Sequence, residues 1–167
     1  MFKLYSHQKA QNKAIRKALK YHSHILYGAS TGFGKSACIW DFVRKELDAG
    51  KKVLVLAPRK TLVDQLAHTL KQYKPFTIIN SKRIGNPSSK LIISSKQTTS
   101  RQLKSNNVLY NNIDTIIIDE VHIGGNFPPK PNTEFEILYK KYWKLAKWIG
   151  FSATPITSKG YKLEGWD

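Results

Sequence analysis

The sequence predicts an α/β fold, with a mostly parallel sheet and helices on both faces. Two observations carry that prediction. Short, continuous apolar runs recur along the chain, as strands covered on both sides require. Between them lie longer segments with apolar residues at helical spacing. Such alternation implies strand–helix–strand crossovers in one layered domain. The 167 residues suffice for a single domain spanning 1–167.

The elements follow in order. A first helix is expected over Gln8–Tyr21, with Ala10, Ala14, Ala18 and Tyr21 on one face. Ile25–Tyr27 is a short strand leading into a glycine-rich turn. Ser36–Ala49 reads as a helix closed by Gly50, a residue suited to the left-handed position after a helix end. Val53–Ala57 (VLVLA) is a fully apolar strand, and Thr61–Tyr73 a helix presenting Leu62, Leu66 and Leu70. Thr77–Ile79, Leu91–Ser94 and Thr115–Asp119 continue the strand series. Glu134–Lys147 is expected as a helix with Phe135, Leu138, Tyr142 and Leu145 on one face and lysines opposite, before a last strand at Trp148–Ser152. Ser81–Lys90 is polar and turn-rich. Gly124–Thr133 (GGNFPPKPNT) holds two glycines and three prolines and reads as a loop, either a surface insertion or a segment beside the substrate.

Composition removes several classes. Hydrophobic residues make up 41%, too many for a disordered chain. No run approaches the ~20 apolar residues of a membrane helix, and the first residues lack the apolar core of a signal peptide. The single cysteine, Cys38, excludes an intramolecular disulfide and fits a reducing, cytoplasmic setting. No Cys/His cluster has zinc spacing. The charge is informative in the positive sense: 28 Lys+Arg against 11 Asp+Glu give +17. Self-repulsion of that size opposes a compact fold unless polyanions are near. Nucleic acid is the expected partner, ahead of a merely solvated lysine surface or a membrane surface. Lysine spread along the chain suits phosphate contact better than base reading.

The strongest local signal is Ala29, Ser30, Thr31, Gly32, Phe33, Gly34, Lys35 and Ser36, set between a strand and a helix. A phosphate needs backbone N–H groups aimed at it and a helix N-terminus behind it; glycines permit that approach. Lys35 would reach the β- and γ-phosphates of ATP and Ser36 would place its hydroxyl on Mg²⁺. The strict phosphate-loop pattern has glycine where this chain has Ala29. The second signal is TIIIDEVH, residues 115–122, in which an acidic pair ends an apolar strand. Ligands bind at that edge of parallel sheets. Asp119 is the candidate Mg²⁺ ligand and Glu120 the candidate general base toward water.

With these residues in place, the chain resembles the superfamily 2 helicases and translocases of the DEAH/DExH-box type, whose phosphate loop accepts alanine at the position of Ala29. The family's Asp-Glu-x-His box is similar to Asp119–His122, and its Ser-Ala-Thr motif to Ser152–Thr154, here followed by Pro155. Its upstream glutamine motif resembles Leu4–Gln8, with Tyr5 at a commonly basic position. Its nucleic-acid motifs resemble Ala57–Gln65 (APRKTLVDQ) and Ile93–Thr98 (ISSKQT). The motifs keep the family's order from residue 4 to residue 155.

The resemblance implies a RecA-like, phosphate-loop NTPase domain whose ATP binding and hydrolysis move a nucleic-acid strand. It implies that Gln8 reads adenine, and that His122, Ser152 and Thr154 couple the nucleotide site to the nucleic acid. It places Pro58, Arg59, Lys60, Gln97 and Thr98 beside a strand's phosphates. The DEVH spelling resembles DNA-remodelling enzymes, including phage branch-migration helicases and restriction-enzyme motor subunits, more than the DEAD-box RNA helicases. The family's motors have a second RecA-like domain that supplies arginine fingers. Residues 155–167 contain no arginine and are too few for such a domain, so the expectation is a first motor domain, weak or inactive in isolation. Two rivals stand beside it. A non-enzymatic nucleic-acid-binding regulator would keep its function in a Lys35→Ala chain. An RNA helicase would prefer RNA to DNA at matched salt.

Overall fold

The computed structural model describes residues 4–30, 32–70, 77–79 (backbone only), 86, 88–123, 125–154 and 163–166. Six strands form one sheet: β1 (His24–Gly28), β2 (Val53–Ala57), β3 (Thr77–Ile79), β4 (Leu91–Ser95), β5 (Thr115–Ile118) and β6 (Lys147–Ser152). Their spatial order is β1-β6-β5-β2-β4-β3, and every pairing is parallel. The strand series expected from apolar runs is present, with each end matched or shifted by one residue.

Alternation along each strand divides the core. Val53, Val55, Ala57, Leu91, Ile93, Ile117, Ile149 and Phe151 point to one face. Leu54, Leu56, Ile92, Ile116, Ile118 and Trp148 point to the other. This is the two-residue period of a pleated strand, expressed on a sheet with no polar face. Full burial of each such aliphatic side chain contributes about 1.5–3 kcal/mol before conformational entropy is charged against it.

The first face is covered by α1 (Ser6–Ala18), α2 (Lys35–Asp48) and α3 (Lys60–Leu70). The second is covered by α4 (Lys96–Lys104), a 3₁₀ turn (Val108–Tyr110) and α5 (Glu136–Tyr142). For α3 the buried residues are Val63, Leu66, Ala67 and Leu70, with Leu62 at the margin; residues 71–73 of the expected helix lie outside the described residues.

Two expectations are corrected, and one helix is found where none was expected. The buried face of α1 is not the Ala10–Ala14–Ala18–Tyr21 face. Gln8, Asn12, Ile15 and Leu19 turn inward, whereas Ala10 and Ala14 are exposed and Tyr21 is 79% exposed. Asn12 tolerates burial because its Nδ2 donates to Asp41 Oδ2 (2.9 Å) and Cys38 O (3.4 Å) on α2. Second, α5 stops at Tyr142 rather than Lys147, and Leu145 is 77% exposed. The chain turns at 143–146 because Lys147 must already join β6, where its N–H donates to Asp114 O (2.9 Å). The unexpected helix is α4, which apolar spacing does not announce. Its buried positions are Lys96, Thr98, Thr99, Ser100 and Leu103, and Ser95 caps it by accepting from Thr98 N (3.3 Å).

Candidate functional site

All the candidate chemistry lies at the C-terminal edge of the sheet, because parallel strands deliver their outgoing loops to one side. Following the sheet from β1, that edge carries the phosphate loop, then Ser152 at the end of β6, then Asp119 and Glu120 after β5. Arg59 and Lys60 follow after β2, and Lys96 and Gln97 after β4.

The phosphate loop bends where glycine allows it. Gly32 (φ +85°) and Gly34 (φ +84°) are left-handed, and Gly34 caps α2. Phe33 N donates to Ser30 O (3.2 Å), closing the turn, and Ala29 N donates to Ser152 O (2.8 Å), tying its start to β6. Thr31 lies outside the described residues. Gln8 reaches across from α1: its Nε2 donates to Phe33 O (2.8 Å) and its Oε1 accepts from Tyr5 N (2.9 Å). A Cβ at Gly34 would come within 2.5 Å of Gln8 Nε2, so a side chain there would push Gln8 aside as well as straining the left-handed backbone.

A polar network holds α1 against α2 behind that loop. Asp41, buried on α2, receives Asn12, Arg16 (2.5 Å) and Arg44 (3.2 Å). Burial opposes ionisation of Asp41, but the bonds from Arg16 and Asn12, the charge of Arg16 and the bond from Arg44 outweigh it and hold the carboxyl below its ordinary range. Gln8 is thereby set by a helix that is itself pinned to the phosphate-loop helix.

The acidic box meets the phosphate loop directly. Lys35 Nζ is 3.4 Å from Glu120 Oε1. Glu120 has φ +50°, a left-handed conformation uncommon for a residue with a Cβ and found preferentially at functional sites. Its N–H donates to Asp119 Oδ1 (3.1 Å). Asp119 is only 8% exposed. Burial, reinforced by the Glu120 charge, raises its pKa to about 6 against the opposing pull of Lys35, the Glu120 N–H and Lys96.

His122 joins this box to β6. Its Nδ1 lies 2.9 Å from Ser152 Oγ and 3.3 Å from Glu120 Oε2. Ser152 Oγ donates its one hydrogen to Thr154 O (2.6 Å) and accepts from Thr154 N (3.1 Å). Toward His122 it can therefore only accept, so Nδ1 carries a proton. Glu120, His122, Ser152 and Thr154 form one chain of contacts; Pro155 lies outside the described residues.

Arg59 and Lys60 are exposed at the start of α3, with Pro58 half-buried behind them. Gln97 is exposed at the start of α4. Thr98 is buried, and its Oγ1 accepts from Ser95 Oγ (3.0 Å) within the helix cap. The residue that sequence reasoning passed over is Lys96, buried beneath that cap. Its Nζ donates to Ile123 O and lies 4.8 Å from the centre of the Phe135 ring. Burial lowers its pKa to about 8 despite the nearby charges of Glu134 and Asp119. Only its place inside ISSKQT could have marked it. A hollow of about 330 Å³ between α4 and α5, lined by Lys104, Asn132, Thr133, Glu136, Ile137 and Lys140, includes none of the edge residues named above.

Mg²⁺ fits the donor set. Ser36 and Asp119 offer hard oxygen ligands, and the buried Asp119 carboxylate is short of positive charge. Among the described residues no group of three or more His, Cys, Asp or Glu forms a metal cage. A single carboxylate beside substrate phosphates is the usual way protein holds Mg²⁺.

The fold and the order of these motifs are those of a RecA-like motor domain of the superfamily 2 helicases and translocases. The chain belongs to the family described as type III restriction enzyme, res subunit, which matches residues 1–157. No curated protein matches the sequence. Among solved structures it is similar to the SWI2/SNF2 ATPase core of Sulfolobus solfataricus in complex with double-stranded DNA (19% identity, TM-score 0.68, 92% of this chain and 32% of that one). It is similar also to the Hef helicase domain of Pyrococcus furiosus (23%, 0.68, 87% and 32%) and the UvsW helicase of bacteriophage T4 (18%, 0.64, 92% and 53%). The chain thus spans between about a third and a half of those structures.

Proposed function

We propose that the chain is the nucleotide-binding first motor domain of an ATP-dependent DNA helicase or translocase. The observation that carries this reading is the contact between Lys35 on the phosphate loop and Glu120 in the acidic box, extended through His122 to Ser152. Ser30–Ser36 cradle the triphosphate, and Lys35 exchanges Glu120 for the β- and γ-phosphates. Glu120, released from Lys35, accepts a proton from the water that attacks the γ-phosphorus, as the bond to the β,γ-bridging oxygen breaks and ADP leaves. Ser36 and Asp119 would hold Mg²⁺, which would supply charge neutralisation for the phosphates. Gln8 faces the purine once its bond to Phe33 O is given up.

Loss of the Lys35–Glu120 pair on nucleotide binding frees Glu120 Oε2 and His122 to rearrange, and Thr154 moves with Ser152. That is the proposed path from nucleotide to strand. Arg59, Lys60 and Gln97 hold the strand's phosphates on the neighbouring loops after β2 and β4. A second RecA-like domain supplies arginine fingers, each worth about 10³–10⁵ in turnover. The net charge of +17 favours a nucleic acid as the polymer, and likeness to a fold captured on double-stranded DNA favours DNA.

The test is ATP hydrolysis with and without single-stranded and branched DNA, alongside binding of a fluorescent ATP analogue. Nucleotide binding that is lost in Lys35→Ala, with slow turnover that is lost in Glu120→Gln, is the expected result. Unimpaired nucleotide binding by Lys35→Ala would sink the proposal. DNA binding with no nucleotide binding at all would identify the non-enzymatic module instead.

A further inference from the structure

We infer that the outer face of α1 is a second nucleic-acid contact, which grips the phosphate backbone of a DNA duplex arm away from the strand-tracking loops. The inference rests on the DNA reading above for the nature of the polymer and on α1 itself for the site.

Helix α1 buries Gln8, Asn12 and Ile15, and Leu19 follows them inward. Its opposite side presents Lys9, Lys13 and Lys17, and Lys20 continues the row past the αR C-cap Leu19; all four are exposed. At 3.6 residues per turn these lysines fall within an arc of about 80°. They span about 16 Å of helix axis, a length over which one strand of aligned B-form DNA passes about five phosphates. Exposed aromatic rings stand at both ends, Tyr5 and Tyr21.

The charge around the row is one-sided. The chain contains no Asp or Glu before Asp41, and Asp41 is buried and already held by Arg16, Arg44 and Lys45. Among the described residues none of the four lysines has an ion-pair partner. An ordinary solvated helix interleaves signs, as α5 does with Glu136 and Lys140 at 2.7 Å. Like charges at i,i+4, such as Lys9–Lys13–Lys17, destabilise a helix by a few tenths of a kcal/mol per pair. A phosphate backbone reverses that sign.

Location makes the surface separate. α1 packs on α2 at the β1 edge of the sheet, whereas Arg59, Lys60 and Gln97 follow β2 and β4. From β1 to β2 is three strand spacings and to β4 four, about 14 and 19 Å. One helix face therefore meets a different segment of nucleic acid from the one at the tracking loops.

The experiment is fluorescence anisotropy of the full chain with a labelled DNA duplex between about 50 and 200 mM salt. Replacing Lys9, Lys13, Lys17 and Lys20 together by Gln is expected to lower affinity at least about 100-fold at the low-salt end and to reduce the salt slope by about 3–4. The same positions changed to Arg keep affinity and slope. An Arg59→Ala/Lys60→Ala chain loses affinity independently, so the logarithmic losses add in the combined variant. An unchanged salt slope in the Gln variant, or no duplex binding by the parent chain at about 50 mM salt, overturns the inference. Because no nucleotide is present, failure of the ATPase reading leaves these outcomes legible.

Discussion

The two faces of the sheet are built differently. On one, α1, α2 and α3 lay aliphatic ridges over Val53, Val55, Ile93, Ile117 and Ile149. On the other, short α4 and α5 leave gaps that aromatic rings fill. Phe127, brought in by the loop, stacks on Trp143 (4.7 Å) and Tyr139 (5.8 Å) and meets Phe135, Trp148 and Trp166 edge-on at 5.3–5.5 Å. Three regular helices cover the first face mainly with aliphatic side chains, with the rings of Tyr27, Trp40, Phe42 and Phe151 set among them. The second depends on a few large residues from irregular chain, since each aromatic ring buries about 150–250 Å².

The largest expected effect tests that contrast at its centre. Phe127→Ala removes a ring that five others touch and should destabilise the domain by about 3–5 kcal/mol in urea melts, without impairing any phosphate-loop residue. A cost under 1 kcal/mol would show that the aromatic face is loosely held.

The next probes the edge where both faces meet the chemistry. Asp119 titrates near 6 in the fold, against an ordinary 3.8. Between those values the folded state binds a proton that the unfolded chain has released, so stability falls as pH rises from about 4 to about 6 and stays reduced above. Asp119→Asn should therefore raise the melting temperature at pH 7.5, should do so much less at pH 4, and should abolish Mg²⁺-dependent nucleotide binding. A variant that melts no higher than the parent at pH 7.5 would contradict the buried-charge account.

On the aliphatic face a single deletion should matter less. Ile39→Val, in the fully buried ridge of α2, is expected to cost about 0.5–1.5 kcal/mol by chemical denaturation. A cost above about 2 kcal/mol would show that this ridge cannot close around a lost methyl group. The smallest effect belongs to Leu145, which sequence periodicity assigns to the core and the fold leaves exposed. Leu145→Lys should change stability by less than about 0.5 kcal/mol. A large loss would mean that α5 runs on as its spacing suggests.

The contrast also explains what could be anticipated. The aliphatic face was largely legible, because regular helices repeat their apolar residues at 3.6-residue spacing and buried parallel strands are apolar throughout. The exception was α1, where Gln8 and Asn12 are buried by bonds to Phe33 O, Cys38 O and Asp41 that no local pattern encodes. The aromatic face was legible only in part: Phe135, Leu138, Tyr142 and Trp148 are buried as helical spacing and the last apolar strand indicate, whereas Phe127 could not be read. Phe127 sits between Asn126 and Pro128 in a turn-rich segment, with nothing local to mark it as core. At the site, the phosphate loop and acidic box stood out by residue type and position. The buried Lys96 did not, since a lysine inside a polar helix reads as solvated.

From its own residues, then, the chain determined a parallel apolar sheet, the loops that carry phosphate and acid chemistry, and a heavy positive charge. These are local properties, set by pattern and by the direction in which parallel strands deliver their ends. Tertiary structure decided which side of α1 is inside, that Phe127 anchors an aromatic layer, and that Lys35, Glu120, His122 and Ser152 touch. Those outcomes depend on partners tens of residues apart, whose arrival alone turns a polar side chain into a satisfied buried one.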